Sequence, residues 1–535
     1  MDKINVIIEM SHTQVLEKAA FAAMTNSNVT LENKYSPIES DIFNLDESFA
    51  SAAIPALSEN KDYTNYKSNI YDSSANVSSD TVPSHCNYII RGTVENDSDL
   101  LSLEKELATN RNVKGIFSDV SIQPQLVCSS TPFVGDHLEV EKLLHTFNLW
   151  EKGMDGRGVF VAIVDTAINI DYLNTKGKNP NINRTLSWSP NPSVKPFEAS
   201  VGHGTMCAFD ACIAAPKCTL IDIPLLTSTT PGGSIMEGLL SDAIKAYSHL
   251  IFNVMRRHIR PGENRSLVVN NSWGMFHESW DFPVRHPGNY STNHNHPFNK
   301  IVLALEKEGA DILFAAGNCG PECPDGRCRG ITNNGIYGAN SSPGVLSVAG
   351  VATDLDRVGY SNKGPGRLEK KKPDITGYTH FLGSEVYSAD GGTSAACPVV
   401  AGVVAAIRTK KPLDQSNSQT SPSAIRSLIT STAKDLGETG YDLLYGYGVV
   451  DGYNIINKLY PDESKRYIDL LLRYICERYP FLCKKLSMIP DNSKLSAKLN
   501  QKDLNNDHED KLLEVLQFIE EIAEEIKKES SSKAK

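Results

Sequence analysis

Five short apolar runs without polar alternation constrain the fold of this chain more than any other feature. Helical stretches around residues 235–258 and 298–308 lie among them. Strands of this kind, separated by helices, are typical of a parallel sheet covered on both faces. Ligands of such sheets bind outside the carboxyl ends of the strands. The sequence therefore predicts a large α/β domain over residues 135–457 with its site at those ends. The five runs are residues 159–164, 220–223, 267–269, 312–315 and 345–348.

Residues 1–125 have the pattern of a smaller domain with two strand–helix–strand halves. Ser11 is positioned to cap the first helix through Gln14, and Ser98 or Asp99 to cap the second. This arrangement predicts an α+β domain of the ferredoxin-like type. Residues 45–86 are rich in Ser, Asn and Asp and are predicted to be a polar linker or long loop. The predicted strands are residues 4–8, 29–31, 88–90 and 115–117.

The C-terminal part, residues 458–535, changes to charged sequence with apolar positions three to four residues apart. The pattern is too short for several heptads, which favours a helix packed on the body over a coiled coil. The final SSSKAK stretch is predicted to be disordered. The sequence therefore predicts a helical extension after the large domain. The apolar positions are Ile468, Leu471, Leu472, Ile475, Leu512, Leu516, Ile519, Ile522 and Ile526.

The chain of 535 residues contains no apolar run of 18 or more residues, which argues against a membrane-spanning segment. Its first residues lack a basic patch followed by a long apolar core, so no secretory signal is visible and a cytoplasmic protein is expected. The net charge of −11 argues against nucleic acid as a partner. Nothing in these features determines the oligomeric state.

The chain has eleven cysteines, an odd number that leaves at least one unpaired in a monomer. In a cytoplasmic chain, free thiols are the default expectation. Three of the cysteines, Cys319, Cys323 and Cys328, lie close together, but their spacing matches no zinc template well. A local disulfide or plain thiols are therefore favoured there, and no metal site is predicted.

Four polar segments fall at strand ends or helix starts. Asp165 directly follows the first buried strand, and His203 lies between two glycines that allow a tight turn. Asn318 comes just past a later strand. Ser394 precedes an apolar helix, and Pro398, a residue tolerated in the first helical turn, puts this serine at or near the helix start. The carboxyl edge of the predicted sheet thus carries a carboxylate, an imidazole, an amide and a hydroxyl.

These four groups are the parts that acyl transfer needs. The hydroxyl of Ser394 becomes a nucleophile when His203 takes its proton, and a buried Asp165 would hold the imidazole in the right tautomer. The oxyanion needs donors, for which the Asn318 carboxamide and the Ser394 backbone N–H are available. Each segment alone also fits an ordinary role as a cap or turn. Their joint occurrence in the order Asp, His, Asn, Ser favours catalysis, because Asp…His…Ser is the subtilisin order.

With its Gly-His-Gly-Thr motif at residues 202–205 and Gly-Thr-Ser-x-x-x-Pro at 392–398, the segment 135–457 resembles the subtilase catalytic domain. The resemblance implies a serine endopeptidase that cuts polypeptides, with the roles given above for the four residues. It also implies that the edge segment Ser272-Trp273-Gly274 pairs with an extended substrate and that Gly232-Gly233 opposes it.

Residues 1–125 resemble the subtilase propeptide, which in the family assists folding and inhibits the enzyme. The resemblance implies a processing junction between Gln123 and Pro132, within or beside the linker 126–134. The stretch Val134-Gly135-Asp136 then resembles a mature start. The alternative is an N-terminal domain that stays attached.

The sequence departs from the family pattern at several positions. Ala167 stands where glycine usually follows the catalytic motif, Met206 where histidine is common, and Phe209 where glycine is usual. None of these changes removes a catalytic group, so we interpret them as changes in packing. The presence of Trp273 and Cys207 resembles the kexin branch of the family. No following β domain is visible, however, so specificity for dibasic sites is not supported.

The family's calcium loop is not clear in this sequence. Asp171 follows Asp165, but no complete ligand set can be assembled around it. No cofactor is therefore predicted to be required, and calcium is left open without support. The Cys-rich loop between Cys319 and Cys328 is expected to shape the first specificity pocket.

Two other functions stay open at this point. A pseudoenzyme would grip peptides without cutting, although neutral drift would be expected to have damaged one of the catalytic groups. A subtilase fold diverted to transpeptidation, or to one dedicated substrate, would give the insert at residues 45–86 and the helical tail a purpose. Turnover of an unfolded protein would distinguish an endopeptidase from a pseudoenzyme. Ligated rather than hydrolysed products would distinguish a transpeptidase from an endopeptidase.

Overall fold

The computed structural model describes residues 3–13, 16, 20, 38, 40–55, 86–125, 132–227, 236–259 and 265–461. The chain divides into two compact units, residues 1–455 and 456–535. Of the second unit only residues 456–461 are described, so the predicted helical extension lies almost wholly outside the described residues. No helix in the described part has both the length and the apolar character needed to cross a bilayer.

The described residues form fifteen strands, in chain order β1 Ile4–Met10, β2 Asn44–Leu45, β3 Ala52–Pro55, β4 Cys86–Val94, β5 Val113–Ser118, β6 Ser121–Pro124, β7 Val159–Asp165, β8 Asn181–Ile182, β9 Thr219–Pro224, β10 Gly238–Leu239, β11 Ser266–Asn271, β12 Trp273–Gly274, β13 Asp311–Ala315, β14 Leu346–Val351 and β15 Ile375–Tyr378. The α-helices are α1 Asp97–Leu107, α2 His137–Leu143, α3 Thr146–Glu151, α4 Ile170–Thr175, α5 His203–Ala214, α6 Leu240–His249, α7 Pro297–Lys307, α8 Thr393–Lys410, α9 Pro422–Ser431 and α10 Gly452–Leu459. Helix α6 continues through a π-helical segment, Leu250–Met255, and a last turn, Arg256–His258.

The centre of the molecule is a seven-stranded parallel sheet in the order β15-β14-β13-β11-β7-β9-β8. Every residue of β7 is buried, because helices cover both faces of the sheet. The apolar helix α8 contacts five of these strands. The prediction of an α/β domain with a mostly parallel sheet is confirmed. Strands β8 and β15 were not predicted, because one has two residues and the other, ITGY, is not a continuous apolar run.

The N-terminal region forms an antiparallel sheet in the order β2-β4-β1-β5, with β3 also paired to β4. Helix α1 begins after Asn96, whose side chain accepts hydrogen bonds from the backbone N–H groups of Ser98 and Asp99. The cap is thus two to three residues earlier than predicted. The predicted strand at residues 29–31 and the capping contact of Ser11 with Gln14 lie outside the described residues.

The prediction that residues 45–86 are only a polar linker or loop is wrong in part. Strand β3 lies within this segment and pairs with β4 through residues 86–89. The strand forms here because the segment contains a short apolar run. Its residues, Ala52, Ala53 and Ile54, have side chains that are buried in the core. Residues 56–85 lie outside the described part.

A buried ion pair fastens helix α8 to the central sheet. Arg408 Nε and Nη2 donate to the two carboxylate oxygens of Asp311 at 2.5 and 2.8 Å, and Nη1 donates to the carbonyl oxygens of Thr420 and Lys411. Both side chains are almost fully excluded from solvent. A buried charge is tolerated only when it is paired and hydrogen-bonded, so each partner depends on the other.

We expect Arg408→Ala to lower the free energy of unfolding by about 3–5 kcal/mol, because it leaves the Asp311 carboxylate buried without a counter-charge. The control is Arg157→Ala, which removes an arginine with a 70% exposed side chain from Asp155 and leaves Lys217 in place. That change is expected to cost less than about 1 kcal/mol. Urea unfolding followed by tryptophan fluorescence measures both, and equal losses would contradict the prediction.

Candidate active site

Asp165 and His203 meet at the carboxyl edge of the central sheet. Asp165 ends β7 and His203 is the first residue of α5, and His203 Nδ1 lies 2.7 Å from Asp165 Oδ1. Both side chains are fully buried. Asp165 Oδ1 also accepts from the backbone N–H of Thr166 at 2.7 Å, which fixes the carboxylate. The other ring nitrogen, His203 Nε2, is buried without a hydrogen-bond partner in the described part of the chain.

The glycines around His203 do not make the tight turn that the sequence suggested. Gly202 is extended (φ −167°) and caps a helix. Gly204 is needed for close packing, since a Cβ there would lie 2.5 Å from the carbonyl oxygen of Ala167. Ala167 itself has φ +151°, a backbone conformation that favours glycine, so its departure from the family pattern is a conformational cost as well as a change in packing.

Ser394 is the second residue of helix α8 and faces the segment that follows β11. Its Oγ donates to the carbonyl oxygen of Ser272 at 3.0 Å, and Ser272 Oγ donates back to the carbonyl oxygen of Ser394 at 2.9 Å. Trp273 is buried and its Nε1 donates to the carbonyl oxygen of Val164 in β7. This network holds the serine and the Ser272-Trp273-Gly274 segment at the same sheet edge as Asp165.

The carboxamide of Asn318 has a fixed orientation. Its Oδ1 accepts from the backbone N–H and from the Oγ1 hydroxyl of Thr393, at 2.9 and 3.0 Å. Because the oxygen is held at the start of α8, the Nδ2 group points away from that helix turn as a donor. It donates to the carbonyl oxygen of Gln125 at 2.5 Å. The sequence-predicted amide thus already holds a peptide carbonyl.

The carbonyl oxygen of Gln125 also lies against Gly392. A Cβ on Gly392 would be 2.1 Å from this oxygen, and the glycine has φ +74°. Only glycine satisfies both the conformation and the approach. The carbonyl therefore sits at the N-terminus of α8, where the helix dipole favours negative charge.

The segment before Gln125 forms the middle strand of a three-stranded sheet, β10-β6-β12. Strand β6 runs antiparallel to Trp273–Gly274 on one side and to Gly238–Leu239 on the other. The backbone N–H of Gln125 adds a bond to the carbonyl oxygen of Ser272 at 2.9 Å. The predicted opposing segment, Gly232-Gly233, lies outside the described residues. Sequence reasoning missed Gly238 and Leu239, whose residue types carry no distinguishing signal.

The loop after Asn318 is closed by a disulfide between Cys319 and Cys328, one of the two alternatives left open by the sequence. Cys323, in the same loop, is free and exposed. The loop carries Arg327, which sequence reasoning did not single out. Its Nη1 donates to the carbonyl oxygen of Pro124 at 3.1 Å. The loop therefore contacts the same segment as Asn318.

Cys207, one turn along α5 from His203, lies behind the imidazole. Its Sγ is 3.8 Å from His203 Nδ1 and 3.8 Å from Asp165 Oδ2. Burial, followed by the Asp165 carboxylate, raises the pKa of this thiol well above its usual value. These three side chains are the one cluster with metal-ligand spacing in the described part of the chain. A thiol that stays protonated is a poor metal ligand. Asp171, considered for calcium, is exposed in the first turn of α4.

The two remaining departures from the family pattern are buried on α5. Met206 and Phe209 are both excluded from solvent. The Phe209 ring makes an edge contact with His137, and Lys178 Nζ lies 5.1 Å above it. These contacts agree with the interpretation of both residues as changes in packing.

Three further buried carboxyl groups surround the site. Burial, with the neighbouring Asp390, raises the pKa of Asp210 well above its usual range, and burial raises that of Asp390 to about 6. Asp222, in β9, accepts from the backbone N–H groups of Ile168 and Phe197 at 3.1 and 2.7 Å and so ties down the loop after Asp165. Burial, despite these bonds, raises the pKa of Asp222 to about 7.

The pKa of Asp222 predicts a pH-dependent contribution to stability. Between about pH 4 and pH 7 the folded protein holds a proton on this group that the unfolded chain, with a pKa near 3.8, has lost. Wild type should therefore lose stability relative to Asp222→Asn as the pH rises from 4 to 8. Urea unfolding at several pH values measures this difference. The exposed-site control Asp171→Asn should run parallel to wild type, and a parallel Asp222→Asn curve would contradict the prediction.

Comparison with known proteins points to one family. A model of the subtilase family matches residues 156–448, more than half of the chain. Subtilisin-like protease SBT6.1 of Arabidopsis thaliana is 24% identical over 61% of this chain and 28% of its own length. Membrane-bound transcription factor site-1 protease of Homo sapiens is 25% identical over 62% of this chain and 28% of its own length. Fervidolysin of Fervidobacterium pennivorans is 25% identical over 57% and 41%. The match thus spans less than half the length of each relative.

Proposed function

This chain belongs to the subtilase family, and from that premise we propose that it is a serine endopeptidase whose nucleophile is Ser394. The observation that carries the proposal is the seating of Gln125, whose carbonyl oxygen accepts from Asn318 Nδ2 while its strand is paired on both sides. The chain thereby presents one of its own peptides in an extended form beside a serine, an imidazole and a carboxylate. Polypeptides are the substrates that such a cleft fits.

In the proposed reaction, Ser394 Oγ attacks the carbonyl carbon and His203 Nε2 takes the hydroxyl proton. The unpartnered state of Nε2 supports its role as the base. Ser394 Oγ, which now donates to the Ser272 carbonyl, must turn toward the imidazole before it can attack. Asp165, held at 2.7 Å from Nδ1, keeps the proton on that nitrogen and stabilises the imidazolium.

The negative charge that develops on the carbonyl oxygen would be stabilised by the Asn318 carboxamide and by the backbone N–H of Ser394. Because Thr393 holds Oδ1 of Asn318, the Nδ2 donor needs no reorganisation when the charge appears. The imidazolium then protonates the leaving amine, and the acyl-enzyme on Ser394 is hydrolysed by water activated in the same way. Removing such a carboxamide typically costs about 10²–10³ in turnover, a range that comes from a subtilisin itself.

Residues 1–125 would act as an inhibitory propeptide in this proposal. Gln125 is the last described residue before position 132, and its carbonyl is the one held on Asn318. The bond after it, between Gln125 and Leu126, is therefore the one we assign to self-processing. This assignment falls inside the junction between Gln123 and Pro132 that the resemblance implies. While β6 remains in the cleft, other substrates are excluded.

We expect Ser394→Ala to abolish casein digestion, labelling by a serine-directed fluorophosphonate and any shortening of the chain, because the attacking oxygen is lost. Gels of purified wild type and variant, incubated with casein or with the probe, measure all three. The matched control is Ser248→Ala, which removes a buried hydroxyl that has no hydrogen-bond partner in the described structure. Residual labelling of the Ser394→Ala protein would overturn the assignment of the nucleophile.

We expect the large fragment of self-processed wild type to begin at Leu126, since the Gln125 carbonyl is the one positioned for attack. N-terminal sequencing or intact mass measures the new end. The full-length Ser394→Ala chain provides the uncut reference. A fragment that begins at any other residue would show that β6 is not bound in the register that is cut.

A further inference from the structure

The side chain of Gln125 is buried and its amide is recognised. It is only 2% exposed, and its Oε1 accepts from the backbone N–H of Asn318 at 3.1 Å. The pocket walls are glycines: a Cβ on Gly317 would lie 3.7 Å from Oε1, and one on Gly274 would lie 3.2 Å from Nε2. The pocket thus offers a donor to the amide oxygen and narrow space around it.

Asn340 adds an acceptor on the same wall. Its Nδ2 donates to the carbonyl oxygens of Trp273 and Ala315, both at 2.9 Å, which sets the direction of the amide. Its Oδ1 is buried and without a partner among the described residues. A Cβ on Gly274 would also lie 3.3 Å from this oxygen, so Oδ1 and Gln125 Nε2 border the same point. No hydrogen bond joins these two atoms, but an acceptor in the wall of so buried a pocket favours an amide over a carboxylate.

Arg327 recognises the residues before Gln125. Its Nη1 donates to the side-chain Oε1 of Gln123 at 3.2 Å and to the carbonyl oxygen of Pro124 at 3.1 Å. The contact with the carbonyl is independent of sequence. The contact with Oε1 depends on the side chain, because the guanidinium has donors only and needs an acceptor there.

The guanidinium is also held by contacts that do not involve the bound segment. Asp325 accepts from Nε and Nη2 at 2.9 and 2.8 Å, a bidentate pair, and the ring of Phe276 lies 3.6 Å below Cζ. The Cys319–Cys328 disulfide closes the loop that carries both charged residues, and Phe276 packs against it. A donor held in this way discriminates between side chains at little entropic cost.

On the basis of the proposed function, we propose that this protease cuts on the carboxyl side of glutamine and that Arg327 selects a hydrogen-bond acceptor two residues earlier. The preferred sequence is then Gln or Glu, any residue that fits an extended strand, and Gln before the cut. Leucine in the first pocket would leave the Asn318 N–H without its acceptor. Glutamate would bury a charge beside Asn340 Oδ1. A lysine two residues earlier would meet the guanidinium with a like charge.

The test uses fluorogenic peptides with the full chain, after fluorophosphonate labelling has established that Ser394 reacts. The reference peptide is acetyl-Ile-Gln-Pro-Gln-aminocoumarin, compared with versions that end in Glu or Leu and with versions that carry Glu or Lys in place of the first Gln. We expect kcat/KM for the reference to exceed that of the Leu-ending peptide at least about tenfold and that of the Glu-ending peptide at least about 100-fold. The peptide with Glu in place of the first Gln should match the reference, and the one with Lys should fall about tenfold or more.

Arg327→Ala should bring the Gln and Lys peptides within about twofold of each other while the preference for a final Gln remains. The matched control is Arg329→Ala, which removes a guanidinium just after the loop, where it contacts Ser279 Oγ, and it should behave as wild type. Labelling by fluorophosphonate reports whether each variant is folded. If Arg327→Ala does not fold, the comparison of peptides with the wild type still decides the preference for glutamine.

A wild type that labels and digests casein but cuts the Leu-ending or Glu-ending peptide as fast as the reference, or cuts none of them, overturns the inference and leaves the proposed function standing. An unchanged discrimination in labelled Arg327→Ala overturns the role of that arginine. A wild type that shows no self-processing, no labelling and no digestion of casein overturns the proposed function itself.

Discussion

The fixed carboxamide of Asn318 is the constraint on which the rest of the site depends. Thr393, at the start of α8, holds its oxygen, so its Nδ2 has one direction in which to donate. Its backbone N–H and its Nδ2 then bind the side-chain and main-chain oxygens of the same residue, Gln125. Recognition and the proposed stabilisation of charge are therefore coupled through one residue, and a peptide placed correctly in the pocket also has its carbonyl placed for reaction.

Much of the sheet, and the edge of it at which Asp165 lies, could be predicted, because both follow from local sequence. The continuous apolar run before Asp165 allows only a strand covered on both faces, and parallel strands bring their carboxyl ends to one edge. His203 begins helix α5 and does not end a strand, so its contact with Asp165 was expected from the order of the motifs and is seen only in the structure. The helix after Ser394 was equally clear, since Pro398 fits a first turn and the residues that follow are apolar.

The remaining features depend on contacts between distant parts of the chain. Gln125 pairs with Ser272 and Asn318, and neither its residue type nor its spacing predicts this. Arg327 is an ordinary charged residue of a loop until the bond to Asp325 and the ring of Phe276 fix it. At Ala167 the sequence did show a departure, since the family pattern has glycine there. Only the backbone angle of the structure shows that the alanine takes a conformation that is unfavourable to it.

The segment in the cleft is held from two directions, which bears on what a cut after Gln125 would achieve. Besides the pairing of β6, the N-terminal sheet binds the body through Arg91 to Asp242 at 2.9 Å and Glu9 to Lys300 at 2.6 Å. Asp119 accepts from the backbone N–H of Ser241 at the start of α6. A cut would break none of these bonds and would remove only the covalent tether, so the fragment would leave at a rate set by all its contacts together. Under the proposed function, cleavage and opening of the cleft would therefore be separate steps, and inhibition would outlast the first.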